Sequence, residues 1–406
     1  MNAPMLPFTS VETRAVSSLT LLYILRVLGL FLLYPVLAAY AGGLPGHTPV
    51  LVGISLGIYG LSQAALQVPM GLLSDRFGRK PIMTLGLICL AVGSVMAAQA
   101  ETIFAFAIAR FLQGAGAISG VCAAMLADSV APTRRSLAMA FIGMGIGLTF
   151  TVSLVLGPWL AARFDVPGVF YLMTFSAIGG LALLWFVVPN VPRVLPELTW
   201  LAGLKKLSAM PIVWIFSGSV GLLHAILASV FMVVPQQLVV MTGKPLDAYT
   251  GIYAVAMTVI LVATLIYMRW LERQPNRYQG MLWAVLALLL GQALLYLPMG
   301  TMATFVTGLF IFFVGFNVLE ALLPAWLSRE VPDTLRGAAM GIFTTCQFMG
   351  IFLGGVLSGL LIKYAPSIDI HFAASWVILL WAAMLWKVLP VLTNRTTEQR
   401  GSQGKI

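Results

Sequence analysis

Long apolar runs, separated by short polar or charged stretches, repeat along the whole chain of 406 residues. A helix that crosses the hydrocarbon core of a bilayer needs about 20 mostly apolar residues. No run shows the alternating pattern that is typical of membrane barrels, so the sequence predicts an all-α membrane protein. We expect twelve transmembrane helices, near residues 17–40, 50–72, 81–100, 102–126, 136–162, 168–189, 210–240, 247–270, 279–298, 301–327, 337–364 and 370–392.

Charged residues are scarce, at 9% of the chain, while hydrophobic residues make up 60%. Because soluble globular proteins carry about 25% charged residues, this composition excludes a soluble enzyme, a disordered scaffold and a secreted disulfide-rich domain. The three cysteines, Cys89, Cys122 and Cys346, lie within predicted spans. Their spacing predicts neither a disulfide framework nor a metal site.

The basic residues predict the orientation of the chain in the membrane. With both termini in the cytoplasm, 18 of the 23 Lys and Arg residues fall in cytoplasmic loops, and only Arg163, Lys244 and Lys363 fall in outer loops. Such an excess marks the cytoplasmic side. We therefore expect a multi-pass protein of the cell inner (plasma) membrane with both termini cytoplasmic. The net charge of +10 then belongs to one face, and no nucleic acid partner is expected.

A polar interval at residues 191–208 predicts a cytoplasmic linker between two groups of six spans. The two groups resemble each other weakly. Arg135 and Met139, after the fourth span, correspond to Arg336 and Met340, 201 residues later and after the tenth span. We interpret this as a duplicated six-helix unit. The predicted organisation is a bundle at 1–190, a linker at 191–208, a bundle at 209–392 and a cytoplasmic tail at 393–406.

The loop between spans two and three has the most specific local pattern. Gly71 permits close helix approach, and Gly78 permits a turn with positive φ. Asp75 can accept hydrogen bonds from Arg79 or from the N-terminal amides of a neighbouring helix. An ordinary basic loop remains an alternative on composition alone. The whole segment is Gly71-Leu72-Leu73-Ser74-Asp75-Arg76-Phe77-Gly78-Arg79-Lys80.

This pattern, G-x-x-x-D-R-x-G-R-K, resembles the hallmark loop of the major facilitator superfamily. Residues 110–116 are similar to the family's R-x-x-Q-G-x-G segment, and Gly157-Pro158 resembles the end of its antiporter signature. Residues 25–37 and 316–324 resemble the YajR-like subgroup of drug–proton antiporters. Because the residues after Gly157-Pro158 depart from the antiporter signature, a facilitator or proton symporter for sugars or organic acids remains an alternative.

The resemblance covers about residues 15–392 and implies the major facilitator fold, with two pseudo-symmetric bundles of six helices and a central cavity between them. It implies a proton-coupled antiporter that exports small amphipathic or hydrophobic compounds by alternating access. Its implied partners are a small-molecule substrate, protons and the lipid bilayer. We expect a monomer, no enzymatic activity, and no cofactor, the proton gradient being the energy source. The soluble C-terminal domain that occurs in the subgroup is not expected after span twelve.

The resemblance also implies a conformational gate. Asp75, Arg79 and Asp128 would form a charge cluster on the inner face. This cluster would lock the outward-facing state by clamping against the start of span eleven, near Arg336 and Gly337. For Asp128, a solvated charge at a helix end remains an alternative.

Four ionisable residues lie within predicted spans, where a charge costs at least about 2.5–3.5 kcal/mol. Glu320, with Asn317 on the same helix face, is expected to take up and release a proton. The resemblance implies that spans one, four, seven and ten line the central cavity, so that Arg26 would face Glu320 and adjust its proton affinity or bind an anionic group of the substrate. Arg110 is a candidate for proton coupling, and His224 is a second titratable candidate because imidazole titrates near neutral pH.

Structural alternatives remain open for these groups: a static ion pair, a gating or packing role, an arginine bonded to backbone carbonyls, and a neutral imidazole bonded to a neighbour. A membrane receptor that does not transport also remains an alternative, which the intramembrane charges disfavour. The further candidates for lining the cavity are uncharged: Tyr34, Gln113, Met144, Gln347 and Phe348.

Overall fold

The structure is a computed structural model that describes residues 8–190, 200–274, 277–297, 301–332 and 335–403. These residues form helices joined by short turns, and no strand occurs among them. In chain order the α-helices are α1 (Ser10–Gly43), α2 (Pro49–Phe77), α3 (Arg79–Ala98), α4 (Ile103–Ala115), α5 (Ser119–Ser129), α6 (Arg135–Phe186), α7 (Trp200–Ser208), α8 (Pro211–Thr242), α9 (Thr250–Glu272), α10 (Arg277–Tyr296), α11 (Met302–Glu330), α12 (Arg336–Tyr364) and α13 (Ile370–Gln403).

Threonine side chains cap the N-termini of several of these helices. The hydroxyl groups of Thr9, Thr48, Thr102 and Thr301 each accept a hydrogen bond from the backbone N–H three residues later. This satisfies one of the N–H groups that have no partner within the helix. In α1, the carboxylate of Glu12 also accepts from the N–H of Thr9 at 2.9 Å. The sequence thus determines these helix starts locally.

The twelve predicted spans are present in the part of the chain that the structure describes. Eleven helical stretches are long and apolar enough to cross a membrane. One of them lies in α6 and contains both the fifth and the sixth predicted spans. Asp165 has φ 56° and ψ 170°, which turns the chain between these two spans. These angles lie outside the helical regions of φ/ψ space, so one helix ends at Asp165 and the next begins directly after it.

The fourth predicted span is not continuous. Its outer part is α4 and its inner part is α5, with three non-helical residues from Gly116 to Ile118 between them. Helix α3 packs against this break, because a Cβ on Gly116 would lie 2.5 Å from the carbonyl oxygen of Gly86. The expectation of a single helix over 102–126 was wrong, since hydropathy averaged over about 20 residues does not register three apolar residues that leave the helix.

The internal repeat predicted from the sequence is confirmed by equivalent hydrogen bonds in the two halves. Nε of Arg135 donates to the carbonyl oxygen of Ala127 at 3.0 Å, and Nε of Arg336 donates to that of Ser328 at 2.9 Å. Each partner in the second pair lies 201 residues after its counterpart in the first. The fold is therefore two related bundles of six spans, α1–α6 and α8–α13.

The predicted domain limits stay a prediction, and the structure adds one helix within the linker and extends the last span into the tail. Residues 191–199 of the predicted linker lie outside the described residues, whereas Trp200–Ser208 forms α7. A Cβ on Gly203 of α7 would lie 3.6 Å from Leu335, so this helix packs beside the start of α12. The predicted tail at 393–406 begins within α13, which continues to Gln403.

The two bundles meet along α2 and α12, where the backbones touch directly. A Cβ on Gly53 would lie 2.1 Å from the carbonyl oxygen of Gly355, and a Cβ on Gly57 would lie 2.7 Å from the Cα of Phe352. A Cβ on Gly60 would lie 2.5 Å from a carbonyl oxygen of α12. Small residues permit this close approach. We call this contact the α2–α12 seam.

The seam closes one face of the protein. We call the face that carries the loop at 76–80 the basic face, and the other the opposite face. Helix α2 starts at the opposite face, where a Cβ on Gly359 would lie 2.4 Å from the carbonyl oxygen of Pro49. Toward the basic face, Gly71 of α2 and Gly341 of α12 have no atom within 4 Å of an added Cβ. The bundles therefore touch along α2 and α12 toward the opposite face, and Gly71 and Gly341, nearer the basic face, take no part in this contact.

Candidate proton and substrate site

Three helices of the second bundle bring together Glu320 of α11, His224 of α8 and Gln347 of α12. Oε2 of Glu320 lies 3.6 Å from Nε2 of His224. The amide nitrogen of Gln347 donates to Oε1 of Glu320 at 3.2 Å and lies 2.9 Å from Nε2 of His224. We call these three residues the triad. The structure therefore joins three of the residues that the sequence predicted for the cavity.

The hydrogen bonds of the triad define where a proton can be added. Nδ1 of His224 lies 3.1 Å from the carbonyl oxygen of Val220, which can only accept, so Nδ1 carries a hydrogen. Nε2 of the neutral ring then accepts from Gln347. Oε2 of Glu320 is buried and has no hydrogen-bond partner among the described residues. A proton shared between Oε2 and Nε2 would satisfy this oxygen.

Aromatic side chains from both bundles cover the triad on the side of the opposite face. The ring of Phe316 lies 5.6 Å from that of His224, and Phe150 of the first bundle lies 5.8 Å from Phe316. About two turns beyond His224 along α8, Phe231 stacks on Tyr34 of α1 at 5.1 Å. The Glu320 side chain is nevertheless 36% exposed. Aromatic rings thus cover the triad on the side of the opposite face.

Arg26 does not face Glu320, contrary to the sequence prediction. Its guanidinium group donates to Ser119 Oγ at 2.8 Å, to Gln63 Oε1 at 2.7 Å and to the carbonyl oxygen of Gly116 at 3.3 Å. The side chain is only 3% exposed. The break in the fourth span explains the difference, because it offers Arg26 oxygen acceptors inside its own bundle.

Arg110 lies in a second polar cluster of the first bundle. It donates to Oε1 of Gln113 at 2.8 Å, and Gln113 in turn donates to Ser94 of α3 at 2.8 Å. The guanidinium carbon lies 5.0 Å from the centroid of the Tyr59 ring. Arg110 is 1% exposed, and its Nε has no partner among the described residues. The structure thus surrounds this charge with side chains rather than with backbone carbonyls.

The remaining cavity candidates differ in their placement. Phe348 lies across the α2–α12 seam from Tyr59, with ring centroids 6.4 Å apart. Asn317 is half-buried, one turn before Glu320 on α11. Met144 is 60% exposed, and the structure does not join it to the triad. Contact of these side chains with substrate stays a prediction.

The predicted charge cluster forms between α2, α3 and α5. Nη1 of Arg79 lies 2.5 Å from Oδ1 of Asp75 and 2.6 Å from Oγ of Ser74, while Nε lies 3.2 Å from Oδ2 of Asp128. As predicted, Gly78 has a positive φ, of 100°, and the chain passes there from α2 into α3. The loop therefore positions Arg79 between two carboxylates.

The clamp between this cluster and the start of α12, and with it a lock in the outward-facing state, stays a prediction. Gly337 has no atom within 4 Å of an added Cβ, and Nε of Arg336 donates within the second bundle, to Ser328. Lys80 donates to the carbonyl oxygen of Val188 at 2.7 Å, and Arg76 is exposed beside the Phe77 ring.

The sequence analysis missed His371, at the start of α13. Nδ1 of His371 lies 2.8 Å from Oε1 of Gln292, and Nε2 lies 3.0 Å from Oε1 of Gln237. The imidazole is fully buried and links three helices of the second bundle. It lies at the start of the predicted span twelve, at 370–392, and was not among the four ionisable candidates. A histidine two residues after Asp369 and before an apolar run was the available signal.

Comparison with known proteins assigns the family. Residues 19–355 and 247–405 match the profile of the Major Facilitator Superfamily. The chain belongs to this superfamily. It is 36% identical over 351 residues to the inner membrane transport protein YajR of Escherichia coli (strain K12), covering 86% of this chain and 77% of that protein. The superfamily consists of transporters and not of enzymes, as the sequence analysis expected.

Two further similarities concern part of the chain and the fold. The chain is 33% identical over 168 residues to the multidrug resistance protein MdtL of Shewanella oneidensis, covering 39% of this chain and 41% of that protein. Its fold matches a crystal structure of a bacterial homologue of the human lysosomal transporter Spinster, in an inward-facing and occupied conformation. The TM-score is 0.72 at 15% identity, over 96% of this chain and 98% of the other.

Proposed function

We propose that this transporter is a proton-coupled antiporter of the cell inner membrane, with both termini cytoplasmic, that exports small amphipathic or hydrophobic compounds by alternating access. The observation that carries the proposal is the buried Oε2 of Glu320, which lacks a hydrogen-bond partner and lies 3.6 Å from an imidazole nitrogen. The names of YajR, an inner membrane transport protein, and of MdtL, a multidrug resistance protein, support the location and the direction of transport.

A proton at the triad changes both its charge and its hydrogen bonds. With Glu320 ionised and His224 neutral, the pair carries one negative charge, which is costly in a buried site unless it is paired. One added proton removes this net charge and fills the vacant position at Oε2. Because the Glu320 side chain is 36% exposed, a proton can reach it in this conformation.

The triad lies next to the contact that closes the protein. Gln347, which donates to Glu320, directly precedes Phe348, whose carbonyl oxygen meets Gly60 at the α2–α12 seam. Protonation of Glu320 weakens the hydrogen bond that its Oε1 accepts from the Gln347 amide. It therefore changes how α11 is bonded to α12. A ligand shifts a conformational equilibrium only by its different affinity for the two states. The proton supplies such a difference here.

The substrate class follows from the surfaces near the triad. Phe316, Phe150 and Phe348 present aromatic rings, while Glu320 and His224 supply polar atoms. Ligand sites of this kind are mostly apolar with a few polar groups that orient the ligand. This combination suits compounds that have an apolar body and a polar group.

Purified protein in liposomes with an imposed pH gradient tests the proposal, with ethidium as a fluorescent amphipathic probe. Wild-type protein is expected to move the dye against the direction of proton flow, and Glu320→Gln is expected to lose the dependence on the gradient. Glu101→Gln, the same substitution at an exposed acid between α3 and α4, is the control and is expected to behave like wild type.

Dye transport by Glu320→Gln with the same pH dependence as wild type would refute the proton role. Dye movement in the same direction as protons would indicate a symporter, and dye movement without protons would indicate a facilitator. A thermal-shift screen of drugs, metabolites and sugars on the purified protein would extend the test to other substrates, since a ligand that binds the native state stabilises it.

A further inference from the structure

The guanidinium group of Arg26 lies at the carboxyl end of α4, where the fourth span breaks. Helix α4 ends at Ala115, and the carbonyl oxygen of Gly116, its C-cap residue, accepts a hydrogen bond from Arg26 at 3.3 Å. A helix end of this kind carries about half a negative charge from carbonyl groups without partners, which a cation stabilises. The guanidinium group therefore caps the carboxyl end of α4 within the fourth span.

The guanidinium group of Arg26 also binds to α5 and to α2. Ser119, the first residue of α5, accepts from Arg26 at 2.8 Å, and Gln63 of α2 accepts at 2.7 Å. Gln63 also donates to Ser119 at 3.2 Å, so the three side chains form a closed network. A planar guanidinium can reach acceptors on separate segments at once, whereas an ammonium group is a point charge. The buried positive charge of Arg26 is thus satisfied by the neutral oxygen atoms of Ser119, Gln63 and Gly116, none of which belongs to a carboxylate.

Helix α5 connects this network to the charge cluster of the basic face. Ser119 begins α5, and Asp128, nine residues later, lies 3.2 Å from Arg79. At 1.5 Å per residue, these two positions are about 14 Å apart along one rigid helix. The side chains of Val121 and Met125 are buried along it. A shift of the helix start at Ser119 is therefore transmitted to Asp128.

We propose that Arg26 is a positioning residue of the conformational gate. It bridges the break in the fourth span and so places α5, which carries Asp128 to Arg79; it does not bind the transported proton or the substrate. The inference rests on the chain being an alternating-access transporter, and it does not depend on proton coupling at Glu320.

Chemical rescue tests this proposal. Arg26→Ala would leave a buried space lined by the oxygens of Ser119, Gln63 and Gly116, which a guanidinium ion can enter. Guanidinium chloride, at concentrations far below those that denature proteins, is compared with the same concentration of sodium chloride. Wild-type protein receives the same additions, so that general effects of the ion are subtracted. The position of α5 is measured by pulsed electron–electron spin resonance between labels at Phe77→Cys and Thr133→Cys.

We expect Arg26→Ala to broaden the distance distribution between the labels and to lower transport about two- to thirtyfold, the range typical of residues that couple distant sites. Guanidinium, but not sodium, should narrow the distribution and restore part of the transport. Arg26→Lys should be rescued poorly, because its side chain fills the space. The pH at half-maximal transport should remain that of wild type, since the triad is unchanged.

An unchanged distance distribution in folded Arg26→Ala would overturn the proposal, as would a shifted pH midpoint or the absence of rescue. If Arg26→Ala does not fold, Ser119→Ala removes one acceptor and should broaden the same distribution, and a wild-type distribution would then overturn the proposal. These outcomes are separate from those of Glu320→Gln. That variant reports on proton dependence and leaves the position of α5 unaffected.

Discussion

Replacement of Gly355 by alanine adds a single methyl group at the α2–α12 seam, and its effect can be worked out from the structure. The new Cβ would lie 2.4 Å from the carbonyl oxygen of Gly53. Carbon atoms and their neighbours are most stable at separations of about 3.5–4.0 Å, so the two helices must move apart by about 1 Å. The strain exists only while the seam is closed.

The free-energy cost sets the expected population shift. Inserting a methyl group into a well-packed contact typically costs about 1–3 kcal/mol. A difference of this size changes an equilibrium about 5- to 150-fold. Gly355→Ala should therefore shift the protein by this factor away from the conformation described above and toward one that is open at the opposite face.

Two other glycines of α12 provide matched controls. All three substitutions raise helix propensity by about 1 kcal/mol relative to glycine. Gly341 has no atom within 4 Å of an added Cβ, so Gly341→Ala should not open the seam. A Cβ on Gly354 would lie 2.2 Å from the carbonyl oxygen of Ala225, within the same bundle. Gly354→Ala should lower the melting temperature without opening the seam.

The assay is the distance between spin labels at His47→Cys and Tyr364→Cys, at the opposite-face ends of the two helices. Wild-type protein should give mainly the short distance, and Gly355→Ala should give a longer one. A distribution unchanged by Gly355→Ala would refute the steric reasoning. Equal opening by Gly341→Ala would show that helix propensity, and not contact, is the cause. The measurements need a background without the native cysteines, Cys89, Cys122 and Cys346.

Two further predictions concern side-chain networks. His371→Leu should lower the melting temperature, because it leaves the buried amide of Gln292 without its imidazole partner, at about 1–3 kcal/mol; an unchanged melting temperature would show that this hydrogen bond contributes nothing. A double-mutant cycle of Arg79→Ala with Asp128→Ala should give a coupling energy of about 1–3 kcal/mol, since both groups are mostly buried. Additive effects would contradict the ion pair.

Many residues of the candidate site could be predicted from the sequence, but the contacts between them could not. Glu320 and His224 were candidates because an ionisable residue inside a span is costly and rarely without a role. Helical periodicity shows which residues share a face, and it does not show which helix lies opposite. The expected pair of Arg26 and Glu320 depended on an assumption about which helices face each other. The structure instead pairs Glu320 with His224 and directs Arg26 to Ser119.

The sequence by itself determined the twelve spans, the internal repeat and the family. These properties depend on local composition, on the length of apolar runs and on motifs within one loop, such as the turn at Gly78. Only the tertiary structure decided where the fourth span breaks, which glycines of α12 face the other bundle, and which face of the membrane is closed. These depend on contacts between segments distant in the chain. Gly355 meets Gly53, while its neighbour Gly354 meets Ala225.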